Sequence, residues 1–135
     1  MLIYADGSAL SRALTGDAES ASWLRWADQH ADQLVTSPLG ISELRRAAAL
    51  MDVVARQKAR DIAESVTVVR FFDRSLEQAT LSAGVLPPFK AIHLGIAMAH
   101  PDVGALATYD HLLAQVAALQ GVKVIAPGRP PHWWL

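Results

Sequence analysis

The chain has 135 residues, enough for one domain that buries roughly two-thirds of its unfolded surface. Apolar residues make up 52% and charged ones 19%, which excludes a disordered chain, and the absence of cysteine excludes disulfides and thiolate metal sites. The formal net charge of −1 supplies no global attraction to nucleic acid, so any RNA contact must come from a local basic patch.

Residues 2–6 are short and apolar and read as a buried strand, followed by Gly7-Ser8 and a helical stretch to about Leu14. Thr15-Gly16-Asp17 breaks the chain, and residues 18–30 read as a helix with Trp23, Leu24 and Ala27 on one side. Residues 33–36 form a second strand. Ser37-Pro38 then starts a helix, with Ser at the N-cap and Pro at the first helical position. That helix, to about Leu50, and another over residues 52–63 form a helical hairpin.

Residues 66–69 are β-branched and read as a third strand. Asp73 is placed to cap a helix running to about Ser82, and Gly84 ends it. Pro87-Pro88 precedes a helix to about His100 whose residues 91–99 are apolar almost all round, so it should be central. Residues 104–107 and 122–125 are further strands, with a helix capped by Asp110 between them. Strands alternating with helices predict an α/β fold: a central parallel sheet of about five strands flanked by helices. No apolar run approaches the ~18 residues needed to span a bilayer, and no cleavable leader opens the chain, so a soluble cytoplasmic protein is expected.

Three acids stand at strand exits or helix entries. Asp6 closes the opening Leu2-Ile3-Tyr4-Ala5, Glu43 lies in Ser37-Pro38-Leu39-Gly40-Ile41-Ser42-Glu43-Leu44, and Asp110 lies in Ala107-Thr108-Tyr109-Asp110. In a parallel sheet, Asp6 and Asp110 point to the same rim. Glu43 interrupts an apolar helix stripe formed by Leu39, Ala47 and Leu50, and an inward carboxylate needs a compensating partner. Capping or arginine pairing accounts for any one of them singly. Together they match the oxygen donors preferred by a hard cation such as Mg²⁺ or Mn²⁺.

In this the chain resembles the PIN-domain family of metal-dependent ribonucleases, and particularly its VapC-like toxins. The matching segments are Ile3-Tyr4-Ala5-Asp6-Gly7-Ser8-Ala9-Leu10, Thr36-Ser37-Pro38 with Ile41-Ser42-Glu43-Leu44, Lys90-Ala91-Ile92-His93-Leu94-Gly95-Ile96-Ala97, and Ala107-Thr108-Tyr109-Asp110 followed by Gly121-Val122-Lys123-Val124 and Pro127-Gly128. They occur in the family's order and assign residues 1–128 to a PIN-like nuclease domain and residues 129–135 to a Pro/Trp-rich tail. The resemblance implies an endoribonuclease in which Asp6, Glu43 and Asp110 hold Mg²⁺ or Mn²⁺ and activate water. Ser8 and Thr108 are the accessory hydroxyls, although Thr108 also suits a backbone bond at a turn. It further implies a homodimer and a small inhibitory antitoxin.

Lys90 departs from that pattern, standing where the family has an acid. Asp6, Glu43, Asp110 and Lys90 together carry a formal −2, and an ammonium group among carboxylates would be held by them and keep its proton. Impaired catalysis follows as an expectation, and a degenerate module that binds RNA or a protein partner is the alternative. His93, one turn later, reads as a hydrogen-bonded structural residue. Arg12, Arg45 and Arg46 are the RNA-phosphate candidates, with Arg56, Lys58 and Arg60 adding charge on the hairpin. Trp133 and Trp134 should pack on the domain body or on a second subunit.

Overall fold

The first strand, β1 (Leu2–Ala5), lies at the centre of a five-stranded sheet of order β3-β2-β1-β4-β5, with β2 at Leu34–Thr36, β3 at Thr67–Val68, β4 at Val103–Ala107 and β5 at Lys123–Ile125. Every pairing is parallel. A computed structural model describes all 135 residues. Seven helices connect and cover the strands: α1 (Gly7–Leu10), α2 (Ala18–Gln29), α3 (Pro38–Ala49), α4 (Val53–Ser65), α5 (Asp73–Thr80), α6 (Pro88–Ala99) and α7 (His111–Leu119). A 3₁₀ turn, Ser11–Leu14, follows α1.

Alternation along β1 sorts the core into two layers. Ile3 and Ala5 face one side with Leu10, Trp23 and Leu44, under α1 to α4. Tyr4 faces the other with Leu94, Ile96 and Leu113, under α5 to α7. The central helix expected from its apolar surface is α6, in which Ala91, His93, Leu94, Gly95, Ile96 and Ala97 are buried. Gly95 permits this packing: a Cβ there would strike the Ser75 carbonyl, so α5 rests directly on the α6 backbone.

The helix starts follow their side chains. Asp17, Ser37 and Asp52 accept the N–H of Ser20 (2.8 Å), Gly40 (3.2 Å) and Ala55 (2.9 Å), respectively. Two local expectations are corrected. Asp73 is the first residue of α5 and not its cap; the Ser75 hydroxyl instead accepts the Phe72 N–H at 3.2 Å and donates to the Phe72 carbonyl at 2.6 Å. The third strand spans two residues, because it is an edge paired to β2 alone. No helix is long and apolar enough to cross a membrane.

The chain order reverses at β1: β2 and β3 extend the sheet on one side, β4 and β5 on the other. Such a switch point opens a crevice beyond the carboxyl ends of the two central strands, and Asp6 and Thr108 are the first residues past those ends.

Candidate active site

Asp6 is 3% exposed, and both oxygens of its carboxylate accept hydrogen bonds. Oδ1 accepts the Ser8 hydroxyl at 2.7 Å and the Ala9 N–H at 2.9 Å, while Oδ2 accepts the Thr108 hydroxyl at 2.6 Å. Burial pushes the Asp6 carboxyl above its ordinary range; His93, the two hydroxyls and the Ala9 N–H oppose that rise.

Both accessory hydroxyls therefore serve Asp6, and each also accepts a backbone proton. Ser8 Oγ takes the Tyr109 N–H at 2.9 Å, and Thr108 Oγ1 takes the Asp110 N–H at 3.1 Å. These bonds tie the exit of β1 to the exit of β4. The backbone role expected of Thr108 is present beside its bond to the acid.

Glu43 reaches the same rim from α3. Its Oε1 accepts the Gly7 N–H at 3.1 Å and the ring of His93 at 2.5 Å. Gly7 makes room for it, since a Cβ there would run into the Glu43 side chain. His93 Nε2 carries the proton, because a carboxylate only accepts. Tyr4 Oη lies 2.7 Å from His93 Nδ1 and 2.7 Å from Ser37 Oγ. Tyr4 Oη thus bridges Ser37 Oγ and the His93 ring, and the ring joins that pair to Glu43. Tyr4, Ser37 and His93 are buried, and burial raises the Tyr4 phenol well above its ordinary value. His93 is thus the hydrogen-bonded residue expected from the sequence; its partners could not be read there.

Asp110 caps α7 through Oδ1, which accepts the Leu113 N–H at 2.8 Å. Its Oδ2 meets Lys90 Nζ at 2.8 Å. The expected capture of the ammonium group occurs, but by one acid rather than three. Oxygen donors of the kind a hard cation requires are present, yet no three Asp, Glu or His side chains are grouped to hold one ion. Asp110 is engaged by Lys90 instead.

The basic residues divide. Arg12 pairs with Glu19 at 3.2 Å and lies 4.4 Å above the Tyr109 ring, so its charge is used within the domain. Arg45 lines a cleft with Arg56 and Arg60 between α3 and α4, and Arg46 is exposed beside it. The tail contributes a residue that sequence reasoning missed. Arg129 binds both oxygens of Glu19 at 3.0 and 3.2 Å and donates to the Tyr109 carbonyl at 3.3 Å. Trp133 packs on the body, with the Arg129 guanidinium 4.4 Å from its ring and His111 at 6.2 Å. Nothing in the sequence links Glu19 to a residue 110 positions away.

The family described as PIN domain matches residues 3–128, nearly the whole chain. The chain is a PIN-domain protein. Ribonuclease VapC46 of Mycobacterium tuberculosis is 32% identical over 130 residues, covering 93% of this chain and 97% of the relative. Ribonuclease VapC47 of the same species is 28% identical over 133 residues, covering 94% and 98%. The α/β fold and the family expected from the motifs are therefore both established for this PIN domain.

Proposed function

We propose that this PIN-domain protein is a VapC-like endoribonuclease toxin: a cytoplasmic homodimer, dependent on Mg²⁺ or Mn²⁺ and neutralised by a small antitoxin. The observation that supports the reading is that Asp6, bonded to the Ser8 and Thr108 hydroxyls, stands at the exit of β1, with Glu43 on the N–H of the next residue and the Asp110 N–H on Thr108. The two relatives that bear the name ribonuclease align along nearly the full chain, which supports it.

In this reading Asp6, Glu43 and Asp110 would hold the cation, Asp110 only after Lys90 has left it. When bound, it lowers the pKa of water and stabilises charge on the scissile phosphate. The protein's own residues supply position. Ser8 and Thr108 fix the plane of the Asp6 carboxylate, and the Gly7 N–H and His93 hold Glu43 toward the crevice. Arg45 and Arg46, with Arg56 and Arg60 nearby, supply positive charge for the RNA backbone.

The test is cleavage of a mixed single-stranded RNA with Mg²⁺ or Mn²⁺ by the chain and by its Asp6→Asn and Lys90→Asp variants. Cleavage should fall by at least about a hundredfold in Asp6→Asn and rise in Lys90→Asp. RNA left intact by both the chain and Lys90→Asp would refute the enzyme. The second reading, a degenerate module that binds RNA or a protein partner, is favoured by the Lys90–Asp110 contact at 2.8 Å. Tight RNA binding without cleavage by either protein would establish it.

A further inference from the structure

Among the three rim acids, Asp110 is the one that bonds a permanent cation. Glu43 meets an imidazole, and Asp6 meets hydroxyls and a backbone N–H. Both oxygens of Asp110 are engaged, Oδ1 by the start of α7 and Oδ2 by Lys90 Nζ. Lys90 belongs to the first turn of α6, whose burial fixes where its stem begins. The side chains of Lys90 and Asp110 are 35% and 25% exposed, so ions from solvent can reach the pair.

We propose that Lys90 is a tethered counter-ion that takes the place of a divalent cation at Asp110. The inference rests on Asp110 facing the metal in the function proposed above. An ammonium group and a divalent ion on one carboxylate oxygen repel each other at close range, so a metal can use Asp110 only by displacing Lys90. The site is thereby neutralised from within, and the fold needs no metal to offset its rim acids. An ordinary exposed ion pair, worth little and indifferent to metal, is the alternative.

Lys90→Met separates the two, because it keeps the aliphatic stem and removes the charge. Mn²⁺ binding is measured without RNA, by calorimetry and by the electron paramagnetic resonance of free Mn²⁺, on the full chain, Lys90→Met and Lys90→Met/Asp110→Asn. Lys90→Met should bind Mn²⁺ at least about tenfold more tightly than the parent, and the added Asp110→Asn should remove the gain. In EDTA, Lys90→Met should melt below the parent, and added Mn²⁺ should raise its melting temperature by more than it raises the parent's. The larger rise distinguishes this role from a structural salt bridge. Circular dichroism confirms that the variants fold, and Lys90→Gln repeats the test with a polar stem. Equal Mn²⁺ affinity in the parent and in Lys90→Met would overturn the inference. Because no RNA is present, that result leaves the ribonuclease proposal standing, and failed RNA cleavage alone leaves the tethered-ion proposal standing.

Discussion

A buried carboxylate loses hydration that hydrogen bonds only partly replace. Asp6 illustrates the balance, with three donors on its oxygens and a carboxyl still raised by burial. A group whose folded value is raised contributes most stability below its ordinary value, 3.8 here, and that contribution is lost as pH rises through the folded value. Asp6→Asn keeps the acceptor for Ala9 and removes the charge. We predict a gain of about 1 kcal/mol in urea unfolding at neutral pH, shrinking toward zero in acid, while RNA cleavage is lost. A destabilised Asp6→Asn would mean that the carboxylate is well compensated where it stands. The strand-end position of Asp6 was legible in the sequence, because a parallel sheet sends each strand exit to one rim. Its partners were not, since Ser8 and Thr108 converge only once β1 and β4 are known to be neighbours.

Helix starts were the most legible elements. Ser37-Pro38 and Asp110 act where their chemistry placed them, and Asp17 and Asp52 do the same work for α2 and α4. Asp73 failed because Ser75, three residues beyond Phe72, satisfied the same end of the helix from inside it. Residues 66–69 have the β-branched composition of a strand, but a single neighbour supports only two paired positions. Asp17 gives this scale its prediction. The Ser20 N–H, then Thr15 and Arg12, hold its carboxyl below 3.8. Its stabilisation is therefore present above that value and is lost as pH falls through the depressed folded value, the opposite sign to Asp6. Thermal melts of Asp17→Asn should lack this acid-limb loss while keeping the cap, and Asp17→Ala should lower the melting temperature at neutral pH. Identical acid limbs in the parent and Asp17→Asn would assign the loss to other carboxylates.

Across the whole molecule, the tail is bound to the body by a small ionic and aromatic network. Glu19 accepts from Arg12 and Arg129, and both guanidiniums lie over Tyr109, at 4.4 and 5.1 Å from its centroid. The Tyr109 hydroxyl in turn donates to the Pro127 carbonyl at 2.7 Å. Because the charged groups are only part-buried, Arg129→Met should cost about 1 kcal/mol. Limited proteolysis should then cut residues 129–135 faster than in the parent; an unchanged rate would show that the indoles alone hold the segment. This long-range pairing was illegible in sequence, as was the choice of Asp110 by Lys90, because each depends on which loops share the rim. The packing of Trp133 has an optical consequence. Its indole meets the Arg129 guanidinium and, edge-on, the imidazole of His111, the residue after Asp110. Indole emission responds to a nearby cation or imidazole. With Trp23, Trp26 and Trp134 replaced by Phe, fluorescence from Trp133 would report events at Asp110 with no label on metal or RNA.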